Sequence, residues 1–146
     1  MSEQENLKTI ESVYAAFGRA DLPFILKALA EDVDWRHPRP ADIPWGGDRR
    51  GREAVAQFFA AIGQHVAIEL FSPDQFIARG DQVIVLGHER ARTRAGGRVY
   101  QVEWVHVWTL RDGVVAGFRE YTDTATIVDA VTDARSADRV DATALS

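Results

Sequence analysis

Hydrophobic positions recur with two different periods along this chain, and the change comes near residue 66. Leu7, Ile10, Tyr14 and Phe17 lie three or four residues apart, which predicts one helix over residues 5–20. Asp21 reads as the N-cap of a second helix, with Pro23 in its first turn and Leu22, Ile25, Leu26 and Leu29 as its apolar face. In "DVDWRHP", Val33, Trp35 and His37 fall on one side of a short extended segment that Pro38 ends. Residues 38–51 hold three prolines and three glycines and read as a loop, with Trp45 an exposed aromatic at a pocket rim. Val55, Phe58, Phe59 and Ile62 predict a third helix over 52–62, stopped by Gly63.

Beyond residue 66 the period becomes two. Strands are predicted at about 66–72, 75–79, 82–94, 98–110 and 114–123, with turns at Gly80-Asp81, Gly96-Gly97 and Asp112-Gly113. A short helix follows near 124–131. The tail from Thr132 is poor in large apolar residues and is expected to be mobile, which leaves one domain over residues 1–131. Helices followed by an antiparallel meander predict an α+β cone: three N-terminal helices packed on a strongly curved sheet of unequal strands, enclosing a pocket.

Hairpin counting predicts which side chains meet. A two-residue Gly96-Gly97 turn sets Gly87 opposite His106, Glu89 opposite Trp104 and Val85 opposite Trp108, all on one face. On the other face Arg90 falls opposite Glu103, a cross-strand ion pair worth under about 1 kcal/mol if exposed. The face with Trp104, His106, Trp108 and Glu89 is aromatic, so it should be buried, and it carries two ionisable groups. Gly87 leaves room beside the imidazole. Space, aromatic walls and a few convergent polar groups make a small-molecule site, against the plainer alternative of a hydrogen-bonded core histidine. The last hairpin has two registers. A two-residue Asp112-Gly113 turn brings Arg119, Tyr121 and Asp123 to the His106 face. A slip of one brings Phe118, Glu120 and Thr122 instead. Asp-Gly favours the first.

Composition narrows the chemistry. There are 22 acidic and 17 basic residues, a net charge of −5, which disfavours nucleic acid or an anionic membrane as partner. The bases cluster in "DRRGRE" and "HERARTR", and the second cluster alternates along a strand as a solvated face. The absence of cysteine excludes disulfides, thiolate metal sites and cysteine nucleophiles. No apolar run has the length of a membrane span or a signal peptide, so a cytoplasmic protein is expected. The four histidines lack a metal-ligand spacing, with His88 pointing away from His106 and His65 at the surface. No phosphate loop or serine elbow is present, so neither a metal nor another cofactor is expected.

Three stretches, "VYAAFGRADLPFILKALAEDVDWRHP", "WGGDRRGREAVAQFF" and "HVWTLRDGVVAGFREYTDTA", resemble the SnoaL-like polyketide-cyclase proteins. These lie within the nuclear transport factor 2-like superfamily, which includes ketosteroid isomerase. The resemblance spans roughly residues 5–128. It implies a conical fold with a deep apolar pocket and a homodimer packed through the outer sheet face. It places Tyr14 where the isomerases carry an oxyanion-hole tyrosine, His37 at the general-base position and His106 at the late-strand aspartate position. Asp123 resembles the acid/base aspartate of the cyclases. The expected function is cofactor-independent proton transfer on a small hydrophobic carbonyl or polyketide-like compound. His106, Asp123, His37 and Tyr14 are the candidate catalytic residues. Trp35, Glu89, Trp104, Trp108, Arg119, Glu120 and Tyr121 are candidates to touch the substrate. A non-catalytic binding protein and a dimerisation module are the alternatives.

Overall fold

The computed structural model describes residues 2–132; the expected mobile tail lies outside the described residues, apart from Thr132. The elements follow in the order α1 (Glu3–Gly18), α2 (Leu22–Ala28), β1 (Leu29–His37), β2 (Gly47–Arg50), α3 (Arg52–His65), β3 (Val66–Arg79), β4 (Gln82–Thr93), β5 (Val99–Arg111) and β6 (Val114–Thr122). A fourth helix, α4, covers residues 124–132. The α+β expectation holds, with this C-terminal helix added to the three before the meander.

Local chemistry explains the helix starts. Ser2 and Asp21 each accept a hydrogen bond from a first-turn backbone N–H, at Glu5 and Phe24. Asp123 does the same for α4 through the Thr126 N–H. Helix α3 runs through Gly63 to His65, so that glycine is not a stop. It is exposed and its missing Cβ would meet open space, so it carries only the modest helix penalty of glycine.

The six strands form one curved sheet in the order β2-β1-β6-β5-β4-β3. Every pairing is antiparallel except β1 with β6, which is parallel. The two predicted strands 66–72 and 75–79 are one strand, β3, whose register shifts between Pro73 and Gln75. An edge strand tolerates a proline there because a bulge already interrupts the ladder. Alternate residues of β4 and β5, among them Val83, Val85, Ala91, Val102 and Trp108, face the helices and form the core with Ile10, Val13, Val55 and Phe58.

Both long hairpins depart from simple counting. The β4–β5 hairpin closes with the Thr93 N–H donating to the Arg98 carbonyl at 2.8 Å, around a four-residue loop, residues 94–97. The register therefore moves by two: Gly87 lies opposite Trp104, Val85 opposite His106, and Arg90 opposite Gln101. An even shift preserves faces. The expected Arg90–Glu103 pair is replaced by Arg90 and Arg92 flanking Glu69 on β3, at 3.3 and 3.0 Å.

In the β5–β6 hairpin the two-residue turn forms as predicted, with Arg111 opposite Val114. A bulge then leaves Ala116 unpaired between Val115 and Gly117. That odd shift swaps faces. Glu120 lies opposite His106 and Phe118 opposite Trp108, whereas Arg119 and Tyr121 turn outward.

Candidate functional site

The bulge in β6 and the parallel pairing of β1 with β6 build the site together. The parallel register aligns Trp35 with Phe118 and Arg36 with Arg119, which brings His37 alongside Glu120. Trp35 and Phe118 stack with ring centroids 4.1 Å apart. Glu120 thus sits between a histidine of β1 and a histidine of β5. Its Oε2 is 2.9 Å from His106 Nε2, and its Oε1 is 3.7 Å from His37 Nε2, an electrostatic contact beyond hydrogen-bond range.

From His106 the network continues into helix α1. The Tyr14 hydroxyl is 2.7 Å from His106 Nδ1, and the Trp108 indole N–H donates to the same hydroxyl at 2.9 Å. Indole nitrogen only donates, so the tyrosine oxygen accepts there and its single proton goes to His106 Nδ1. The imidazole then carries its own proton on Nε2 and donates to Glu120. Every proton has one place in this chain, and both nitrogens of His106 are occupied. His106 is therefore a satisfied histidine whose partners are themselves cavity groups.

Burial sets the charges. It pushes His106 below the usual histidine range against the pull of its Glu120 hydrogen bond, and takes His37 down to about 4. Burial also opposes ionisation of Glu120, but His37 and His106 beside it outweigh that and hold its carboxyl low. At neutral pH the cluster is a carboxylate between two neutral imidazoles. Glu89 goes the other way: burial, then the charge on Glu120, raise its carboxyl to about 8. Tyr14 is raised above the usual phenol range, chiefly by burial.

These groups open on a cavity of about 80 Å³. Its apolar wall includes Phe17, Trp35, Phe58, Phe59, Phe71 and Trp108, and its polar groups are Tyr14, His37, Glu89, Tyr100, His106 and Glu120. The volume is roughly half that of a void of about 150 Å³ known to hold benzene. A ligand of more than a few heavy atoms therefore enters only as wall side chains shift.

The cavity unites Tyr14, Trp35, His37, Glu89, His106, Trp108 and Glu120 from the sequence-based set. Four others lie elsewhere. Asp123 is exposed, and its carboxylate accepts from the Thr126 N–H and hydroxyl at 3.1 and 2.6 Å as the cap of α4. Arg119 is exposed and lies over the Tyr121 ring, itself 49% exposed, on the outer sheet face. Trp104 is buried but absent from the lining. Its indole stacks on His106 with centroids 3.9 Å apart and covers Gly87, where a Cβ would stand 2.4 Å from the ring. Gly87 thus makes room for tryptophan and not for a ligand.

Trp45, expected to be exposed, is 6% exposed and part of the lining. Sequence reasoning passed over Tyr100, Phe71 and Ile127. Tyr100 was legible, because it alternates with Val102 and Trp104. Ile127 enters on α4, whose cap signal Asp123-x-x-Thr126 was also present in the sequence. Among the described residues no cluster of histidine, aspartate and glutamate has the geometry to hold a metal. No helix there is long and apolar enough to cross a membrane.

The SnoaL-like domain model matches residues 10–118. A nuclear transport factor 2-like protein of unknown function from Burkholderia pseudomallei K96243 is 34% identical, with a TM-score of 0.80 over 90% of this chain and 99% of that one. One from Burkholderia xenovorans LB400 is also 34% identical, with a TM-score of 0.82 over 90% and 98%. TerC, crystallised with polyporic acid, is 28% identical, with a TM-score of 0.79 over 88% and 98%. A comparison with curated proteins found no match.

Proposed function

The chain belongs to the SnoaL-like family, and from that premise we propose that it is a cofactor-independent acid/base enzyme acting on a small hydrophobic carbonyl or polyketide-like compound. One observation carries this reading: the Glu120 carboxyl, fixed between His37 and His106, faces an aromatic cavity. A carboxylate has about four lone-pair sites, and His106 occupies one, so Glu120 retains capacity to accept a proton from a bound ligand. His37 would stabilise or share that proton, and Tyr14 and Trp108 hold His106 in the tautomer that donates to Glu120. Proton abstraction beside a carbonyl is chemistry such a base performs, and isomerisation, aldol cyclisation and dehydration all begin that way. That TerC was crystallised with polyporic acid supports a small-molecule ligand.

The test does not require the natural substrate. Deuterium uptake beside the carbonyl of acetophenone and related small ketones, followed by NMR in heavy water, reports the base directly. The protein should accelerate exchange, and Glu120→Gln should lose on the order of 100-fold or more of that acceleration. Unchanged exchange in Glu120→Gln would sink the reading.

A binding protein is favoured by a different observation: His106 and Tyr14 are internally satisfied at rest. It predicts a ligand bound and released unchanged, with Glu120→Gln altering affinity alone. The outer sheet face carries Leu70, Ile77, Val99 and Tyr121, each more than 40% exposed, which supports a homodimer through that face.

A further inference from the structure

The polar groups of the cavity differ in how they are satisfied, and beside Glu120 the Trp35 Nε1 and His37 Nδ1 atoms are themselves without a hydrogen-bond partner among the described residues. Around Glu120 every donor and acceptor of the Tyr14–His106 chain is matched. Glu89 and Tyr100 also line the cavity, but neither side chain makes a hydrogen bond to any described residue. Buried polar groups are nearly always satisfied, so an unmatched pair facing a void asks for a partner from beyond the described residues, a role a bound ligand fills.

The two are placed to act together. On the β4–β5 ladder Ala91 pairs with Tyr100 and Glu89 with Val102. Glu89 and Tyr100 are therefore diagonal neighbours on the inner face, roughly 7–8 Å apart at the backbone and within reach of one acceptor through their side chains. They are also remote from the base. Glu89 pairs with Val102 on β5, four residues from His106, the partner of Glu120. At about 3.3 Å per residue the two poles stand roughly 13 Å apart along the strand, too far to share a proton.

We propose that Glu89 and Tyr100 form a recognition pole that donates two O–H hydrogen bonds to an uncharged oxygen acceptor, a carbonyl or ether oxygen, at the end of the ligand away from Glu120. The substrate class narrows to an aromatic or alicyclic body with such an oxygen remote from the reacting carbon. This deepens the proposed function, resting on it only for the choice of cavity.

The donor role requires a protonated Glu89. The titratable groups that share the cavity with it are Tyr14 of α1, His37 of β1, Tyr100 and His106 of β5 and Glu120 of β6; α3, β3 and α4 present only apolar side chains. Of these only Glu120 is charged at neutral pH; burial first, and that negative charge second, keep the proton on Glu89. Recognition should thus hold at neutral pH and weaken as pH rises past about 8.

Anisole and ethylbenzene share a body and differ in the acceptor oxygen. Their dissociation constants, measured by tryptophan fluorescence, should favour the ether by about tenfold in the wild type near neutral pH. The preference should vanish in Glu89→Leu, shrink in Tyr100→Phe, and survive in Glu89→Gln, which keeps a donor of the same shape. Near pH 10 the wild type should lose it while Glu89→Gln keeps it. Equal binding of the two compounds, binding of neither, or a preference untouched in Glu89→Leu would overturn the proposal. Glu120→Gln should leave the preference intact, so failure of the acid/base reading would show separately as unchanged deuterium exchange.

Discussion

The two carboxyls of the cavity face the same space and behave in opposite ways. Glu120 is held ionised by His37 and His106, and its hydrogen-bonded neighbours pass from β5 to α1. Glu89, two strands away, has no such partner and stays protonated to about pH 8. Burial penalises both charges, so partners decide which one survives. Two acids pushed to opposite protonation states can divide donor and acceptor work within one pocket.

The largest effect should come from moving one carboxyl off its pole. Ala116 is the unpaired residue of the bulge, so deleting it should leave Glu120 opposite His106 and the cooperative thermal transition in place. Inserting one residue after Gly117 should instead turn Glu120 and Phe118 outward and abolish that transition. If the deletion proved as damaging as the insertion, the bulge would be needed for curvature and not only for register.

Next in size is the removal of a partner. His106→Leu takes the only side-chain hydrogen-bond donor among the described residues from a buried carboxylate, and unfolding by denaturant should show a loss of roughly 3–5 kcal/mol. Glu89→Leu removes an acid that has no hydrogen-bond partner among the described residues, so its stability at neutral pH should match or exceed the wild type. Equal losses in the two variants would erase the distinction between the poles.

The smallest effect, taken over one pH unit, is a slope. Glu89 keeps its proton in the folded state to about pH 8, whereas the unfolded chain releases it near 4.5. Between those values the folded state binds more protons, so this group lowers stability as pH rises, by roughly 1.4 kcal/mol per pH unit. His37 works oppositely below its ordinary value of 6.5. The folded state keeps it neutral to about 4 while the unfolded chain protonates, so acidification destabilises. Comparing wild type with Glu89→Gln cancels the histidine contribution, and their stability difference should change steadily from about pH 5 to about pH 8 and then level off. A constant difference would mean that Glu89 titrates normally.

Period-two alternation was sufficient to put Glu89, His106 and Trp108 on one face, and it stayed right although the hairpin loop has four residues and not two. An even error in register is invisible to face assignment. The same reasoning failed one hairpin later, because the bulge at Ala116 is an odd error, and it sent Arg119, Tyr121 and Asp123 to the wrong side. No residue type announces that bulge. It exists because Phe118 fits between Trp35 and Trp108, with centroids 4.1 and 4.6 Å away, and Arg119 would have to enter the same apolar space without it.

By its own patterning, then, the sequence determined three helices ahead of an antiparallel meander and an aromatic inner face carrying ionisable groups, because these follow from local side-chain period, whereas β2 (Gly47–Arg50) lies within residues that read as a loop. Only the tertiary structure decided that Glu120 lies opposite His106, that His37 of β1 lies beside it through a parallel pairing, and that Glu89 has no hydrogen-bond partner among the described residues. Those facts depend on contacts between residues some eighty positions apart, where packing selects among registers that local chemistry leaves nearly equal.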